Sequence, residues 1–190
     1  LSGQEEEALA LLEQLPVSSD DTTNLTARSY GYVEAGQYER LLELVELHYG
    51  SVEDLVARFH RKFDIGADYM SPVAFACRQL GRIEAYEAVL AAMREAIETQ
   101  RANGAPWRPV MQAELEYAAL LGDDDGGLQV LQAMLDKGAI DVTTLEGRIF
   151  RDFRNDPRFA ERYRVLLARA NEERAKLGME PYRPIAVTNE

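Results

Sequence analysis

Cysteine and histidine are scarce in this sequence. Among 190 residues there is one cysteine, Cys77, and there are two histidines, His48 and His60. One cysteine excludes a disulfide within the chain, so the compartment stays open: a cytoplasmic protein is expected and a periplasmic one is compatible. The three side chains are not spaced as metal-ligand pairs, so no zinc site is predicted. Cys77 falls on a predicted packing face, which favours a buried small side chain over a nucleophile.

Long apolar runs are also missing. No segment approaches the roughly 20 apolar residues that a membrane-spanning helix needs, and the first residues lack the basic-then-apolar pattern of a signal peptide. We therefore expect a soluble chain that does not enter a membrane.

Catalytic and phosphate-binding motifs are absent as well. The sequence contains no G-x-S-x-G, no P-loop and no G-x-G-x-x-G. The run Asp123–Asp125 hints at calcium, but a calcium loop needs aspartates at alternate positions, and Met134 stands where its last glutamate belongs. We predict no catalytic residue, no metal and no cofactor; a helical-repeat enzyme with an unrecognised carboxylate site is the third alternative for function.

The composition favours helices and argues against nucleic acid as a ligand. Leucine, alanine, glutamate and arginine dominate, whereas valine, isoleucine and threonine are sparse. The 33 acidic and 21 basic residues give a net charge of −12. Most of this surface would repel a phosphate backbone, so direct nucleic-acid binding is not expected. The acidic surplus is interpreted as a source of solubility on exposed helix faces.

The segment from Tyr30 to Glu46, YGYVEAGQYERLLELVE, shows the organisation of the chain most clearly. Apolar residues recur at helical spacing on both sides of Gly36, which can supply the positive φ that ends a helix. Neither helix is long enough to be stable alone in water, so each must bury its apolar face on the other and on its neighbours. The segment therefore predicts a helical hairpin that stacks against others.

The same analysis along the chain predicts an all-α protein of about eight or nine helices. Helix starts are indicated by the capping box of Ser51 and Asp54, by Ser71 before a proline, and by Asn155 and Asp156 before another. We expect a lone helix at 3–15, hairpins at about 22–49, 68–101 and 107–137, an extra helix near 52–63, a short helix near 143–154 within a capping segment at 143–178, and an extended tail at 179–190.

The lone helix at 3–15 begins without a preceding partner helix. Its apolar residues Leu9, Leu12 and Leu15 would leave one side uncovered. We expect this helix to pack on the first hairpin or to pair with a second copy of the chain, which would make a homodimer.

Four hinge glycines suggest an internal repeat. Gly3, Gly36, Gly81 and Gly122 are separated by 33, 45 and 41 residues, a range typical of helical repeats. The segments that follow them, GQEEEALALL, GQYERLLELV, GRIEAYEAVL and GDDDGGLQVL, resemble the turn and second helix of tetratricopeptide (TPR) repeats. The resemblance implies a solenoid of helical hairpins wound as a right-handed superhelix, closed by a long C-terminal capping helix.

The match to the TPR pattern is incomplete. The pattern places a small residue five positions after the glycine, and Ala8 and Gly127 satisfy it. Leu41 and Tyr86 stand at the same position in the other two segments and are too bulky. The repeats are therefore degenerate.

The second half of the chain carries a more specific resemblance. Residues 81–178, with YAALLGD, KGAID and FRNDPRFAERY, are similar to the C-terminal TPR regions of bacterial winged-helix regulators and class III adenylate cyclases. Neither a winged helix nor a cyclase domain is present in these 190 residues. The resemblance implies a sensory or interaction module that belongs to a larger bacterial regulatory or signalling protein.

Helical geometry selects a candidate binding face on the first helix of each hairpin. If the apolar residues face the partner helix, residues one step further round the helix face the concave side of the array. These residues are Thr26, Tyr30, Ser71, Phe75, Arg78, Gln79, Gln112 and Glu116. Their mixture of aromatic, cationic and amide groups is typical of a peptide groove. The alternative is that Tyr30 and Phe75 fill the space between hairpins, and Trp107 likewise either stacks a ligand or packs at a helix start.

Two functions from different classes follow. The first is a non-catalytic module that holds a peptide or protein segment on its concave face. The second is a structural or oligomerisation element that couples a sensor to an output domain. The partner itself is not identified by the sequence.

Overall fold

The computed structural model describes residues 3–16, 22–62 and 70–184. In these ranges it contains nine α-helices, three short 3₁₀ turns (η1–η3) and no strand, which confirms the all-α prediction for the described part. The helices are α1 Gly3–Glu13, α2 Thr22–Ala35, α3 Tyr38–Tyr49, α4 Val52–Lys62, α5 Met70–Gln79, α6 Ile83–Ala102, α7 Trp107–Leu121, α8 Asp124–Asp136 and α9 Pro157–Lys176, and the turns are η1 Thr144–Glu146, η2 Arg148–Phe150 and η3 Phe153–Asn155.

The hinge at Gly36 is formed as the sequence suggests. Gly36 has a φ of 70°, in the left-handed region that favours glycine. The N–H of the next residue, Gln37, donates to the carbonyl of Tyr32 at 2.8 Å, and this bond satisfies a carbonyl that the end of α2 would leave without a partner. Equivalent bonds follow α5, from Arg82 N to Cys77 O, and α7, from Asp123 N to Ala118 O, both at 2.9 Å.

The helices pack as neighbouring pairs. Helix α2 packs on α3, α5 on α6, and α7 on α8, while the first helices of these pairs, α2, α5 and α7, are in contact in that order. Helix α4 lies against α3 and α6. One continuous apolar core therefore runs from Leu9 in α1 to Ala170 in α9.

Helix α1 packs on α2 across a glycine. A side chain at Gly31 would stand 2.6 Å from Leu12 Cδ1, so the bare backbone of α2 makes room for α1. Leu9 is buried at this contact, and the Tyr32 hydroxyl donates to Glu13 Oε1 at 3.1 Å. Leu11 and Leu15 remain exposed at 59% and 38%. The lone helix of the sequence analysis is thus placed on the first hairpin.

The start of α9 follows the predicted signals. Pro157 occupies its first turn, and the Asp156 carboxylate caps it by accepting from Arg158 N at 2.7 Å. Phe159 and Leu166 are buried, and the ring of Phe159 lies 4.9 Å from that of Phe153, centroid to centroid. Helix α9 covers α8 and η3 in this way.

The segment between α8 and α9 differs from the predicted single helix at 143–154. It forms three separate 3₁₀ turns, because Gly147 adopts an extended conformation with ψ of 157°. Arg154 of η3 supports the bend from the end of the same segment: its Nη1 donates to Leu145 O at 2.9 Å and to Gly147 O at 2.7 Å. The second turn, η2, packs against α5 and α7.

The chain returns along α9 after its end. Residues 179–184 have no regular secondary structure, in keeping with the predicted extended tail, whereas 185–190 lie outside the described residues. Asn171 of α9 pairs with the backbone of Tyr182, accepting from its N–H at 2.6 Å and donating to its carbonyl at 3.5 Å. This pairing positions the Tyr182 ring beside η1.

Candidate functional site

A cavity of about 490 Å³ opens where α2 and α7 meet residues 143–150, which we call the η1–η2 segment, and residues 179–184, which we call the C-terminal segment. We call it the α2–α7 cavity. Its walls combine aromatic and aliphatic groups with carboxylates, an amide and hydroxyls. The lining residues are Tyr30, Glu34, Gln112, Thr143, Thr144, Glu146, Gly147, Ile149, Phe150 and Tyr182.

Behind one wall lies a buried carboxylate, that of Glu116 on α7. Its side chain is 3% exposed. The Ser71 hydroxyl donates to Oε2 at 2.5 Å, while the Tyr30 hydroxyl and Gln112 Nε2 donate to Oε1 at 3.1 Å and 3.2 Å. Because a buried carboxylate is tolerated only when its oxygens accept hydrogen bonds, these contacts are a condition of the fold. They also join α2, α5 and α7, the first helices of the three hairpins.

A second carboxylate, Glu146 of η1, lines the cavity directly. Oε1 accepts from the Tyr163 hydroxyl at 2.5 Å, and Oε2 accepts from the Tyr182 hydroxyl at 2.7 Å. Burial, and then the hydrogen bond to Glu146, raise the pKa of Tyr182 to about 12 and raise the pKa of Tyr163 as well. Both hydroxyls therefore stay protonated at neutral pH and hold the carboxylate between α9 and the C-terminal segment.

The third carboxylate, Glu34 of α2, fixes the η1–η2 segment. Glu34 Oε1 accepts from Arg148 N at 2.8 Å, next to Gly147 at the cavity wall. Arg154 of η3 binds the same segment through its two carbonyl contacts. Burial lowers the pKa of Arg154, and the charges of Glu34 and Glu146 act in the opposite direction. The segment is thus held by two charged side chains, one from α2 and one from η3.

Half of the predicted binding face is brought together here. Tyr30 and Gln112 line the cavity, and Ser71 and Glu116 lie directly behind them in one hydrogen-bonded cluster. These four residues come from α2, α5 and α7, and hydrogen bonds join them across the three helices.

The other four predicted residues lie outside the cavity lining. Arg78 Nη1 donates to Leu120 O at 2.8 Å near the end of α7, and its guanidinium lies 5.2 Å from the centre of the Phe75 ring. Phe75 is buried between helices, Thr26 is half-buried, and Gln79 is exposed. Arg78 and Phe75 therefore contribute to packing between the hairpins, which was the alternative considered for Phe75.

Several cavity residues were not selected from the sequence. Glu146, Ile149 and Phe150 fall in the segment expected to form a helix of the cap, and Tyr182 falls in the tail. Their position depends on the bend at Gly147 and on the Asn171 contact, neither of which produces a periodic pattern.

A second depression of about 480 Å³ lies at the ends of α3 and α6. It includes Glu46 and Arg82, which form an ion pair of 3.2 Å across it. Among the residues that the structure describes, its lining also includes Glu53 and Glu84 but no aromatic residue, so it lacks the apolar aromatic walls of the α2–α7 cavity.

The cysteine and the acidic run that the sequence analysis considered as possible functional groups have structural roles. Cys77 is buried, and burial raises its pKa to about 11, so the thiol is protonated at neutral pH. Asp123 caps α8 by accepting from Gly126 N at 3.0 Å, which gives the acidic run a role in helix formation. Over residues 3–16, 22–62 and 70–184, no group of three or more acidic, histidine or cysteine side chains could hold a metal ion.

Comparisons with known proteins do not assign a function to the α2–α7 cavity. The chain matched no protein-family model, no curated protein and no solved structure. In the part of the chain that the structure describes, none of the helices combines the length and apolar character needed to cross a membrane.

Proposed function

We propose that this chain is a non-catalytic module that binds a peptide or protein segment, and that the α2–α7 cavity receives part of that segment. The cavity itself is the observation that carries the proposal. Its volume falls within the range of about 300–1,000 Å³ typical of ligand sites, and its lining has the usual mixture of apolar walls and a few polar groups.

The polar groups of the site are held in place before a ligand arrives. Tyr30 and Gln112 are bonded to Glu116, and Tyr182 is bonded both to Glu146 and to Asn171. A site whose side chains are already ordered loses little conformational entropy on binding, so more of the contact energy is available as affinity. This order supports a binding role for the cavity.

The resemblance of the second half of the sequence to bacterial regulatory proteins suggests in what kind of protein this module acts. The phrases YAALLGD, KGAID and FRNDPRFAERY within residues 81–178 resemble the C-terminal repeat regions of bacterial regulators and cyclases, and this resemblance implies an interaction module. We accordingly propose that the module belongs to a larger regulatory or signalling protein and that its partner is a protein.

Blocking the cavity tests the proposal. Random peptides displayed on phage are selected on the chain, and the affinities of the enriched peptides are then measured. Thr143 is exposed and lines the cavity, so Thr143→Trp places a bulky side chain at the cavity while the Thr143 N–H keeps its bond to Asp141. We expect affinity to fall about tenfold or more, equivalent to roughly 1.4 kcal/mol or more.

The matched control is Ile140→Trp. Ile140 is 40% exposed and lies outside the cavity lining, so the same bulky group there should leave affinity within about a factor of two. If no peptide is enriched, or if Thr143→Trp binds as well as the parent, the proposal is wrong.

Self-association is a second candidate function, favoured by α1. Leu11 and Leu15 expose apolar surface on this helix, as an element that pairs two copies would. Sedimentation velocity from micromolar to millimolar concentration would show a dimer that Leu11→Glu dissociates. A monomer throughout this range would exclude the second candidate.

A further inference from the structure

Two carboxylates make the α2–α7 cavity acidic. Glu34 and Glu146 both line it, whereas no lysine, arginine or histidine does so within the part of the chain that the structure describes. The charges of both glutamates act on the Arg154 guanidinium, whose Nη1 donates to the carbonyls of Leu145 and Gly147. An anionic ligand would be repelled from this cavity, and a neutral ligand without hydrogen-bond donors would desolvate the carboxylates without replacing their lost water contacts.

Glu146 retains hydrogen-bonding capacity toward a ligand. Each of its oxygens accepts one tyrosine hydroxyl, from Tyr163 and from Tyr182. An ionised carboxylate has about four acceptor sites, so each oxygen can take a further donor. Two parallel N–H groups of a guanidinium fit this arrangement, because they bind the two oxygens of one carboxylate together.

The remaining walls suit the same group. Tyr30 and Tyr182, both half-buried, line the cavity, and the buried residues Phe150 and Ile149 add an apolar wall. A guanidinium is planar and weakly hydrated, and it stacks on aromatic faces more readily than a strongly hydrated ammonium does. The methylene groups of an arginine side chain can contact the apolar wall.

We propose that the α2–α7 cavity binds the guanidinium of an arginine side chain in the captured segment, with Glu146 as its principal partner and Glu34 as a second carboxylate. This inference rests on the proposed peptide-binding function and specifies its ligand. The net charge of −12 on the chain would also draw a basic segment toward the site and raise its association rate.

The test compares an arginine with its neutral isostere. Four immobilised pentapeptide libraries are prepared, each with random flanking residues and a fixed central arginine, citrulline, lysine or glutamate. We expect the labelled chain to bind the arginine library, to bind the citrulline library about tenfold less or weaker, and to bind the lysine library at an intermediate level. Free methylguanidine should compete with the arginine library, which shows whether the group alone is recognised.

Three variants locate the effect. Glu146→Gln should remove the preference for arginine over citrulline, and Glu34→Gln should reduce it. Glu43→Gln removes the same charge from an exposed position on α3 outside the cavity, so it should retain the preference. If Glu146→Gln fails to fold, the comparison of Glu34→Gln with Glu43→Gln decides, because Glu34 is exposed and its loss removes one contact to the η1–η2 segment.

The outcomes separate this inference from the proposed function. Equal binding to all four libraries that Thr143→Trp abolishes would leave the binding function standing and overturn the arginine assignment. An arginine preference that survives in both Glu146→Gln and Glu34→Gln would also overturn it. Absence of binding to every library would contradict both proposals.

Discussion

Two buried serines on neighbouring helices have opposite hydrogen-bonding situations. Ser71 on α5 is 2% exposed and its hydroxyl donates to Glu116. Ser29 on α2 is fully buried, and its hydroxyl has no hydrogen-bond partner among the described residues. A buried hydroxyl stabilises a fold only if its bond offsets the cost of removing it from water. Comparing Ser71 with Ser29 therefore separates the stabilisation that a hydrogen bond gives from the free-energy cost of burying a hydroxyl.

Alanine at these two positions should have effects of different sign. Ser71→Ala leaves Glu116 without one donor and should lower the free energy of unfolding by about 2 kcal/mol. Ser29→Ala removes an unsatisfied group and should change it by between zero and about +1 kcal/mol. Urea unfolding of both variants measures the difference. Equal losses would mean that the Ser71–Glu116 bond contributes nothing to stability.

Raised pKa values predict a loss of stability at alkaline pH. The pKa of Cys77 is raised to about 11 and that of Tyr182 to about 12, mainly by burial, and that of Tyr163 is raised as well. Groups that bind protons more tightly when folded contribute stability that is present below their unfolded pKa and is lost as pH rises through the folded pKa.

The expected window begins near the unfolded pKa of cysteine, about 8.5, and continues past that of tyrosine, about 10. The free energy of unfolding should fall with pH across it, and the fall should be smaller in the Tyr182→Phe variant, which has no phenol to ionise. Tyrosinate absorbance of the folded chain measures the titration directly. A normal tyrosine titration in the parent would contradict the assignment of Tyr163 and Tyr182 to Glu146.

At the scale of elements, a small residue decides how α8 packs. Gly127 is buried in α8, and a side chain there would stand 3.1 Å from the ring of Phe153 and 3.5 Å from Ala118. Phe153 is itself buried and packs edge to face against Phe159. The ring has little freedom to move, so the helix can approach only because residue 127 is small. The size rule taken from the repeat pattern thus has a packing cause at this position.

Larger side chains at Gly127 should therefore destabilise the fold. Gly127→Leu is expected to lower the free energy of unfolding by about 1–3 kcal/mol through overpacking. Gly127→Ala should cost less, because the gain in helix propensity, about 1 kcal/mol, offsets the tight contact with Phe153. Thermal and urea unfolding of both variants would show this order. Leucine as stable as glycine would mean that Phe153 can move aside.

The sequence predicted elements whose signals are local. The hinge at Gly36, the cap of Asp156 and the helices between them follow from residue types a few positions apart. The single helix predicted at 143–154 is wrong, because the turns that form there depend on contacts with no helical period. Arg154 bonds back to two carbonyls of the same segment, and Glu34 of α2 bonds its backbone from far away in the chain. The same holds for the residues of the α2–α7 cavity. Helical spacing selected Tyr30 and Gln112 from the sequence, whereas the positions of Glu146 and Tyr182 depend on long-range contacts.

On the scale of the whole molecule, α9 covers the end of the core. Phe159 is 2% exposed and contacts both Phe153 and Tyr163, which join it to η3 and to Glu146. An array of hairpins exposes apolar surface at its last member unless such a helix covers it. Loss of this contact should therefore affect the entire fold.

Phe159→Ala tests the importance of that cover. Truncation of a fully buried phenylalanine should cost about 3–5 kcal/mol, and unfolding should remain one cooperative transition at a lower temperature. Val165→Ala on the same helix, where the side chain is 42% exposed, should cost far less. Melting of the Phe159 variant within a degree or two of the parent would show that α9 is not required.

Charge acts on the whole molecule in two opposing ways. With 33 acidic and 21 basic residues, the folded chain is destabilised by its own repulsion, and added salt screens that repulsion. The same screening weakens the attraction between the acidic cavity and a basic segment.

Raising sodium chloride from about 0.05 to 0.5 M, where the Debye length falls to a few ångströms, should therefore raise the melting temperature and lower the affinity for an arginine peptide. Calorimetry and peptide titration on the same samples measure both effects, with the citrulline peptide as the control for affinity. If salt lowers both stability and affinity, or changes the affinities of the two peptides equally, long-range charge does not act on this fold or on its site as argued.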